Sequence, residues 1–472
     1  MSDNYRIESD GLGPVEVPID SYYGANTQRA VQNFEFSSLR FHRRFIWAHA
    51  LLKSEAARVN ANLGVIPSAT ATAIVEAADE VATGKWDSQI VVDVFQTGSG
   101  TSFNMNINEV VANRATEIAG GGLGTYSIHP NDHVNACQSS NDSVPTSLHL
   151  AAVAVIRDEV MPALQMLTAS LERKATEFAN VVKTGRTHLM DSLPITLGAE
   201  FGGYASQVSK VRKDVEIALP RIEELCLGGT VVGSGLNAAE GFAEGVVAGL
   251  AERTGYPLRK TDNHYEALAA KDGAANMSGV LRTVAIVLFK IANDIRWLAS
   301  GPHAGIREIR LPVLQQGSSI TPGIAKVNAV ICEAVMQISA QVIGNDSTVA
   351  WSAANGNFEL NVMSPVIGHN LIESAEILAT AASGLSVKAV DGIEADEERC
   401  ASLLDQNLTL VTALTPLIGY DAAAKVAMES TESGKSIAAI VSDSGLLTEE
   451  QISNHLDPAV LAAGGRASST GR

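Results

Sequence analysis

The stretch VAIVLFKIANDIRWL, residues 284–298, decides the fold class. Apolar residues recur in it every three or four positions, which is the spacing of one face of an α-helix: Val284, Leu288, Ile291, Ile295 and Leu298. No proline occurs between Arg259 and Gly301. Because proline is the strongest helix breaker, the pattern predicts an unusually long helix within that segment.

Similar apolar spacing continues on both sides of this stretch. A helix is expected to begin near Asp142, where an Asp/Ser cap candidate and Pro145 precede a spacing of 4, 3 and 4 from Val144. Further helices are predicted at about 197–219, 329–350 and 365–388. About five long helices rich in Ala, Val and Leu between residues 140 and 390 favour a mainly α fold built around a helical bundle.

The sequence also suggests where the domains divide. Residues 1–138 contain many turn signals and predict a mixed, mostly helical N-terminal domain. Residues 139–395 form the long-helix domain, and residues 396–472 form a small, more polar helical domain. Several bundle helices are apolar on more than one face, so we expect a homo-oligomer, the alternative being a monomer whose end domains cover the bundle.

Composition limits the possible functions. The 472 residues carry a net charge of -18, and the absence of a Lys/Arg run argues against nucleic-acid binding. The apolar window VAIVLF at 284–289 is too short to span a bilayer and the N-terminus has no apolar leader, so no membrane association and a cytoplasmic location are expected. The four cysteines lack metal-site or disulfide spacing, and no metal or other cofactor is predicted.

Four segments interrupt the apolar pattern with hydroxyl and amide side chains: TGSGTSFNMN at 97–106, HPNDHVNACQSSND at 129–142, GRTHLMDSLP at 185–194 and QQGSSITPGIAKVNAV at 315–330. Each one alone fits ordinary turn and cap chemistry. Together with Lys183, Arg186, His188 and Lys326 they indicate a site for a carboxylate ligand held by neutral donors and helix N-termini.

Three other motifs carry less weight. GSGLNA at 233–238 resembles a dinucleotide loop, but no acidic residue follows at the required distance. His129 and His133 have the spacing of a zinc-binding pair, but Pro130 disfavours the helix that would align them. Cys137 has no neighbouring base in the sequence and is interpreted as a small buried thiol.

Eight segments of the chain resemble those of the aspartase/fumarase superfamily. In chain order they are YYGANTQRAVQNF, DVFQTGSGT, HPNDHVN, QSSND, GRTHLMD, KIANDIRWLASGP, GSSI and NGNFELNV. The class II fumarases are most similar, because Ser140 stands where aspartases place threonine. The resemblance implies a three-domain aspartase/fumarase fold with a central long-helix bundle. It also implies a homotetramer with a 20-helix core and active sites shared between subunits.

The implied reaction is the reversible hydration of fumarate to L-malate by anti addition of water, without a cofactor. By resemblance, Ser318 is the base that removes the C3 proton, and His188 paired with Glu333 handles the proton on the side of the leaving group. The dicarboxylate would be bound by Ser99, Thr101, Ser139, Ser140, Asn141, Thr187, Ser319, Lys326 and Asn328. A secondary anion site is implied at His129, Asn131 and Asp132.

The chain departs from this family at the loop around Ser318. Thr321 replaces methionine, Ile324 and Ala325 are extra residues before Lys326, and Ala329 replaces proline. Phe103 also stands where a small polar residue is common. These differences leave two alternatives open: a related lyase that releases an amine or other group from a substituted succinate, and a catalytically weak homologue.

Overall fold

The computed structural model describes residues 4–324 and 326–464 and is mainly helical. Its helices in chain order are α1 Ala25–Asn33, α2 Arg43–Asn62, α3 Ser68–Ala82, α4 Thr101–Ile118, α5 Ser140–Val155, α6 Met161–Glu177, α7 Leu197–Ile222, α8 Phe242–Thr254, α9 His264–Ala269, α10 Asp272–Leu298, α11 Val330–Ala353, α12 Ser364–Lys388, α13 Glu397–Asp405, α14 Thr415–Ile418, α15 Tyr420–Ser433, α16 Ile437–Asp443, α17 Glu449–His455 and α18 Pro458–Ala462.

The strands are short and form two-stranded sheets. In chain order they are β1 Tyr5–Asp10, β2 Gly13–Pro18, β3 Val182–Thr187, β4 Met190–Thr196, β5 Glu224–Leu225, β6 Arg259–Lys260, β7 Ile309–Arg310, β8 Gly356–Asn357, β9 Leu360–Asn361 and β10 Glu394–Ala395. The pairs β1 with β2, β3 with β4, β7 with β10 and β8 with β9 are antiparallel, whereas β5 and β6 pair in parallel.

The five long helical stretches expected between residues 140 and 390 are confirmed. Three are the single helices α7, α11 and α12, which begin within one residue of the predicted positions. The first stretch contains both α5 and α6, joined by a π-helical turn at Ile156–Val160. Pro162 follows this turn; since proline offers no N–H and crowds the preceding turn, a wider turn there lets the helix continue.

The long helix predicted before Gly301 is α10, but it begins only at Asp272. The preceding residues first form β6, and Asn263 then caps the short helix α9 with its side chain. Val284, Leu288, Ile291 and Ile295 of α10 are fully buried, as their spacing predicted. Among the described helices, α10 alone is long and apolar enough to cross a membrane, a test that the core helix of a soluble protein also passes.

The chain divides into two compact units. The first contains Met1–Pro162, Val211–Ala285 and Ile338–Ala379. In it α2 packs on α3, α5 and α8, and α2 is almost wholly buried from Phe45 to Ala57. The N-terminal residues are therefore more regular than their turn signals suggested, and the glycines lie between helices.

The second unit contains Ala163–Lys210, Ile286–Gln337 and Thr380–Arg472. It includes the β3–β4 hairpin, and a small C-terminal core is formed by Leu414, Val426, Ile437, Ile440 and Val441. The domain boundaries near residues 138 and 395 stay a prediction.

Candidate active site

Three hydroxyl groups form a chain at the start of α4 and α5. Ser99 Oγ lies 2.8 Å from Thr101 Oγ1, which lies 2.7 Å from Ser140 Oγ. Thr101 and Ser140 are the first residues of their helices, and the cap residue Gly100 has no side chain with which to bond the N–H groups of α4. Because helix N-termini present unpaired N–H donors and a partial positive charge, this cluster is suited to an anion.

Ser139 and Asn141 fix the start of α5. The Ser139 hydroxyl accepts a hydrogen bond from the Asn141 N–H at 3.2 Å, and the Asp142 carboxylate accepts one from the Ser139 N–H at 2.9 Å. This reciprocal arrangement is a capping box. The sequence predicted the helix start correctly, but Ser139 is the cap and Asp142 its partner.

The Asp142 carboxylate also ties α5 to a distant loop. It is completely buried and accepts hydrogen bonds from the N–H groups of Gly228 and Thr230, each at 3.0 Å. Burial raises its pKa to about 6, although the N–H donors act in the opposite direction. The Asn141 side chain donates to the Val231 carbonyl at 2.8 Å in the same loop. The loop at 228–231 is thus held beside the hydroxyl chain.

Lys53 is a fully buried lysine that the sequence did not single out, and it is hydrogen-bonded to the first turn of α4. Its Nζ donates to Asn104 Oδ1 at 2.7 Å, to Asn135 Oδ1 at 3.0 Å and to Gln138 Oε1 at 2.9 Å. Asn104 lies three residues after Thr101 in the first turn of α4. Burial lowers the pKa of Lys53 to about 7, and the nearby charge of Asp142 partly opposes that shift. A lysine inside the apolar run AHALLKSEAA was the available signal.

Phe103 does not face the hydroxyl chain. Its ring is fully buried and stacks on Phe41 with ring centroids 4.0 Å apart and an interplanar angle of 14°. Phe45 and His49 complete the cluster, each with its ring centroid 5.1 Å from that of Phe103. The ring of Phe103, noted above as a departure from the family, therefore packs in an aromatic core.

Thr187 and His188 lie at the tip of the β3–β4 hairpin. His188 and Leu189 form its two-residue turn with φ of 56° and 61°, the backbone that a tight hairpin turn requires. The side chains from Thr187 to Met190 are exposed. The hairpin therefore presents the His188 imidazole to a ligand or to another chain.

Lys183 and Arg186 were expected to contribute positive charge to the ligand site, and the structure contradicts this. Lys183 is 1% exposed and lies 3.0 Å from Glu308 and 2.9 Å from Glu200. Arg186 makes a two-pronged pair with Glu308 at 2.8 and 2.9 Å. Glu308 is fully buried. These charges compensate one another and anchor the base of the hairpin.

Ser318 lies in the loop from Gly317 to Asn328, which we call the lid loop. The Ser318 hydroxyl oxygen accepts hydrogen bonds from the N–H groups of Ile320 at 3.2 Å and Thr321 at 3.0 Å. The Asn328 side chain donates to the Gly317 carbonyl at 2.6 Å and closes the base of the loop. A Cβ at Gly317 would lie 2.1 Å from a loop carbonyl oxygen, so glycine is required there. Ala325 of the insertion lies outside the described residues.

Lys326, Asn328 and Glu333 line one cavity of about 480 Å³ at the base of the lid loop. Glu333 lies in the first turn of α11, and Ser319 and Lys326 are exposed on the loop. Within the described residues of one chain, no hydrogen bond or ion pair joins His188 to Glu333. Their expected pairing therefore stays a prediction.

His129, Asn131 and Asp132 lie together at a π-helical turn, Pro130–Val134. The His129 Nδ1 accepts hydrogen bonds from the N–H groups of Asn131 and Asp132, each at 3.2 Å, and lies 3.4 Å from Asp132 Oδ2. The His129 N–H donates to His133 Nδ1 at 2.8 Å. The donor in this contact is the backbone N–H of His129, so it uses an imidazole nitrogen of His133 only. The described part of the chain contains no group of three or more residues able to hold a metal ion.

The four cysteines are free thiols. Cys226, Cys332 and Cys400 are buried, and burial raises their pKa to about 11, 12 and 12. Cys137 is partly exposed, two residues before the cap of α5, which contradicts its interpretation as a buried thiol.

Residues 13–344 match the family model described as lyase, and residues 410–463 match that of the fumarase C C-terminus. The class II fumarate hydratase of Thermosynechococcus vestitus is 48% identical over 96% of both chains. That of Halobacterium salinarum is 49% identical over 97% of both. The crystal structure of a class II fumarase from Schistosoma mansoni superposes with a TM-score of 0.92 at 37% identity and covers 97% of this chain and 99% of that one.

Proposed function

The chain belongs to the lyase family and, within it, to the class II fumarate hydratases, and we infer that it catalyses the reversible hydration of fumarate to L-malate. The observation that carries this inference is the match to curated fumarate hydratases over nearly the whole chain. The hydroxyl chain at two helix N-termini supports it, because a small dianion needs concentrated donors in a protein with a net charge of -18.

One substrate carboxylate is proposed to bind at the hydroxyl chain. Ser99, Thr101 and Ser140 would donate their hydroxyl protons, and Ser139 and Asn141 would extend the donor set from the capped start of α5. Lys326 and Asn328 of the lid loop, with Ser319 and Thr187, are proposed to bind the second carboxylate. Lys53 would support the first group by fixing Asn104 in the first turn of α4 through the hydrogen bond from its Nζ.

Ser318 is proposed as the base in the dehydration direction. Its oxygen already accepts two backbone hydrogen bonds, and donors of this kind favour the alkoxide over the neutral hydroxyl. The alkoxide takes the C3 proton of malate, and the electron pair delocalises into the adjacent carboxylate. The C2 hydroxyl then leaves from the opposite face, protonated through water by the proposed pair of His188 and Glu333. Fixed donors must stabilise the doubly charged carboxylate intermediate, which is the role of Lys326 and Asn328.

The active enzyme is proposed to be a cytoplasmic homotetramer whose sites combine residues of several subunits. Large apolar side chains are exposed on its long helices, among them Ile217 at 75%, Ile286 at 50% and Trp351 at 77%. Burial against other copies would remove them from water. Five long helical stretches in each of four copies also give the twenty helices expected of the family's core.

His129, Asn131 and Asp132 are proposed as a secondary site for a dicarboxylate. The His129 imidazole is 43% exposed and its Nδ1 is occupied by two N–H donors, which leaves Nε2 to donate to an anion. The exposed Asp132 carboxylate lies close by and weakens such binding, so we expect low affinity.

The test is an ultraviolet assay of the conjugated product with malate, with aspartate and with buffer alone. Absorbance should rise with malate only. A rise with aspartate only would instead support the amine-releasing alternative suggested by the altered lid loop, and no rise with either would support a catalytically weak homologue. Ser318→Ala should abolish turnover, while Gln315→Ala, an exposed change just before the lid loop, should not.

A further inference from the structure

Another cavity, of about 260 Å³, lies where α7 ends and α9 leads into α10, and it shares no lining residue with the proposed active site. Ligand pockets usually measure about 300–1,000 Å³, so this volume favours a small ligand. Three basic and three acidic residues line the cavity, so its charges balance, unlike those of the chain with its net charge of -18. They are Arg221, Arg259, Lys271, Glu224, Glu266 and Asp272.

Three of these six residues are already paired within the protein. The Arg259 guanidinium forms an ion pair with Glu224. The Lys271 Nζ donates to three backbone carbonyls of α9 and the residue after it, at 2.9, 2.9 and 3.0 Å, which uses all of its protons. These groups therefore build the wall of the cavity and leave no donor for a ligand from the lysine.

The other three residues keep free charges. Arg221 is the last but one residue of α7, Glu266 lies in α9 and Asp272 is the first residue of α10. Within the part of the chain that the structure describes, no hydrogen bond or ion pair joins these side chains to another group. One guanidinium and two carboxylates are thus available to a ligand in the cavity.

His149 adds a free acceptor to this set. Its Nδ1 lies 2.8 Å from the Glu224 carbonyl oxygen, which can only accept, so Nδ1 carries the proton and Nε2 keeps a lone pair. Burial lowers the pKa of His149 to about 4, so the imidazole is neutral at neutral pH. The Cε1 atom beside Nε2 faces Gly273, where a Cβ would lie 3.7 Å away, and Gly273 also lines the cavity. Among the described residues, no group donates to Nε2.

We propose that this cavity binds a small α-amino acid in its zwitterionic form. An ammonium group has three N–H donors, which match His149 Nε2 and the two free carboxylates. The Arg221 guanidinium would bind the carboxylate of the ligand in a two-pronged pair. A dicarboxylate would be repelled by Glu266 and Asp272, and a polyamine would be repelled by Arg221. A ligand with one charge of each sign fits both ends.

The remaining walls limit the side chain of the ligand. They are formed by small residues, among them Pro145, Ala267, Ala270 and Gly273. A Cβ at Gly273 would lie 2.9 Å from the carbonyl oxygen of Arg221, which shows how closely α7 and α10 approach here. The ligand therefore has a short side chain, and L-alanine is the probe of choice.

Binding is tested by isothermal titration calorimetry with three probes. L-Alanine carries both charges, L-lactate has a hydroxyl in place of the ammonium, and L-alaninamide has an uncharged amide in place of the carboxylate. L-Alanine should bind with a Kd of about 1 mM, because charged hydrogen bonds form at both of its ends. L-Lactate and L-alaninamide should each bind about tenfold more weakly or less, because each lacks one of the two charges.

Variants locate the binding in this cavity. Arg221→Gln should weaken L-alanine binding about tenfold and should not weaken L-alaninamide binding, since that probe has no carboxylate for the guanidinium. The double variant Glu266→Gln/Asp272→Asn should lose the preference for L-alanine over L-lactate. Ala270→Leu fills the cavity and should abolish binding of L-alanine. Lys213→Gln removes an exposed charge of α7 outside the cavity and should bind L-alanine like the parent. Circular dichroism checks that each variant is folded.

The proposal is overturned if L-alanine shows no saturable binding, or if L-lactate binds as tightly as L-alanine. It is also overturned if Arg221→Gln and Ala270→Leu both bind L-alanine like the parent. Thr101→Val should bind L-alanine normally, and a loss of binding there would place the amino acid at the proposed substrate site instead. None of these measurements depends on malate turnover, so the proposed function is tested separately.

Discussion

Replacing Lys53 by methionine should change how the stability of the protein depends on pH. Lys53 is completely buried and donates to three amide oxygens, with no carboxylate within ion-pair distance among the described residues. Methionine has a similar length and removes the charge. The variant loses these three hydrogen bonds. Of the three acceptors, Asn135 Oδ1 still receives hydrogen bonds from the side chains of Asn104 and Asn108. The loss of the charge and the loss of the hydrogen bonds affect stability in separable ways, because only the effect of the charge depends on pH.

The size of the effect follows from the pKa of Lys53, which falls from 10.5 to about 7 on folding. Between these values the unfolded chain binds more protons at this lysine than the folded chain, so the free energy of unfolding rises with pH. One pH unit corresponds to about 1.4 kcal/mol, so from pH 7 to pH 9.5 the parent should gain about 3 kcal/mol relative to Lys53→Met. The variant also lacks the charge of Lys53 near Asp142, so the pKa of Asp142, about 6 in the parent, rises further. This second effect on stability is confined to the lower pH, because the Asp142 carboxylate is fully ionised at pH 9.5.

The measurement is urea unfolding followed by circular dichroism at both pH values, at one fixed protein concentration. Lys213→Met, which removes an exposed lysine of α7, is the control. Its free energy of unfolding should differ from that of the parent by the same amount at the two pH values. A stability difference between the parent and Lys53→Met that is the same at pH 7 and pH 9.5 would refute the reasoning. Lys53 would then have the same protonation state in the folded and unfolded chains at each of the two pH values.

Other substitutions test separate parts of the structure. Glu308→Gln should lower the free energy of unfolding by about 3–5 kcal/mol, because Lys183 and Arg186 lose their buried counter-charge; an unchanged melting temperature would argue against this network. Phe103→Ala should cost about 3–5 kcal/mol of stability but leave the KM for malate unaltered, whereas a shifted KM would place the ring in the pocket after all. Gly317→Ala should lower kcat about 100-fold by moving the base of the lid loop, with little effect on urea unfolding; normal turnover would contradict the close approach.

The long helices were predictable because their signal is local. Apolar residues three and four positions apart place α7, α11 and α12 to within a few residues at each end. The start of α10 was not predictable in this way. Residues before Asp272 have no helix-breaking proline; β6 instead pairs with the distant β5, and α9 ends at Ala269, where Lys271 Nζ donates to the carbonyls of its last turn.

The partners of charged residues were harder to predict than the helices. Lys183 and Arg186 lie beside a histidine in a polar segment, so the sequence favoured a ligand as their partner. Their actual partner Glu308 is 122 residues from Arg186. The contact between Thr101 and Ser140 spans 39 residues. The sequence assigned their two polar segments to one site, but it did not predict this contact, since neither residue carries a local signal for the other.

Cys137 gives the molecule a spectroscopic handle. The other three thiols are buried and hold their protons, so a maleimide dye at neutral pH should react at this position alone. The attached fluorophore would sit two residues before the Ser139 cap of α5. Its emission would then report carboxylate binding in real time, in a native sequence that needs no engineered cysteine.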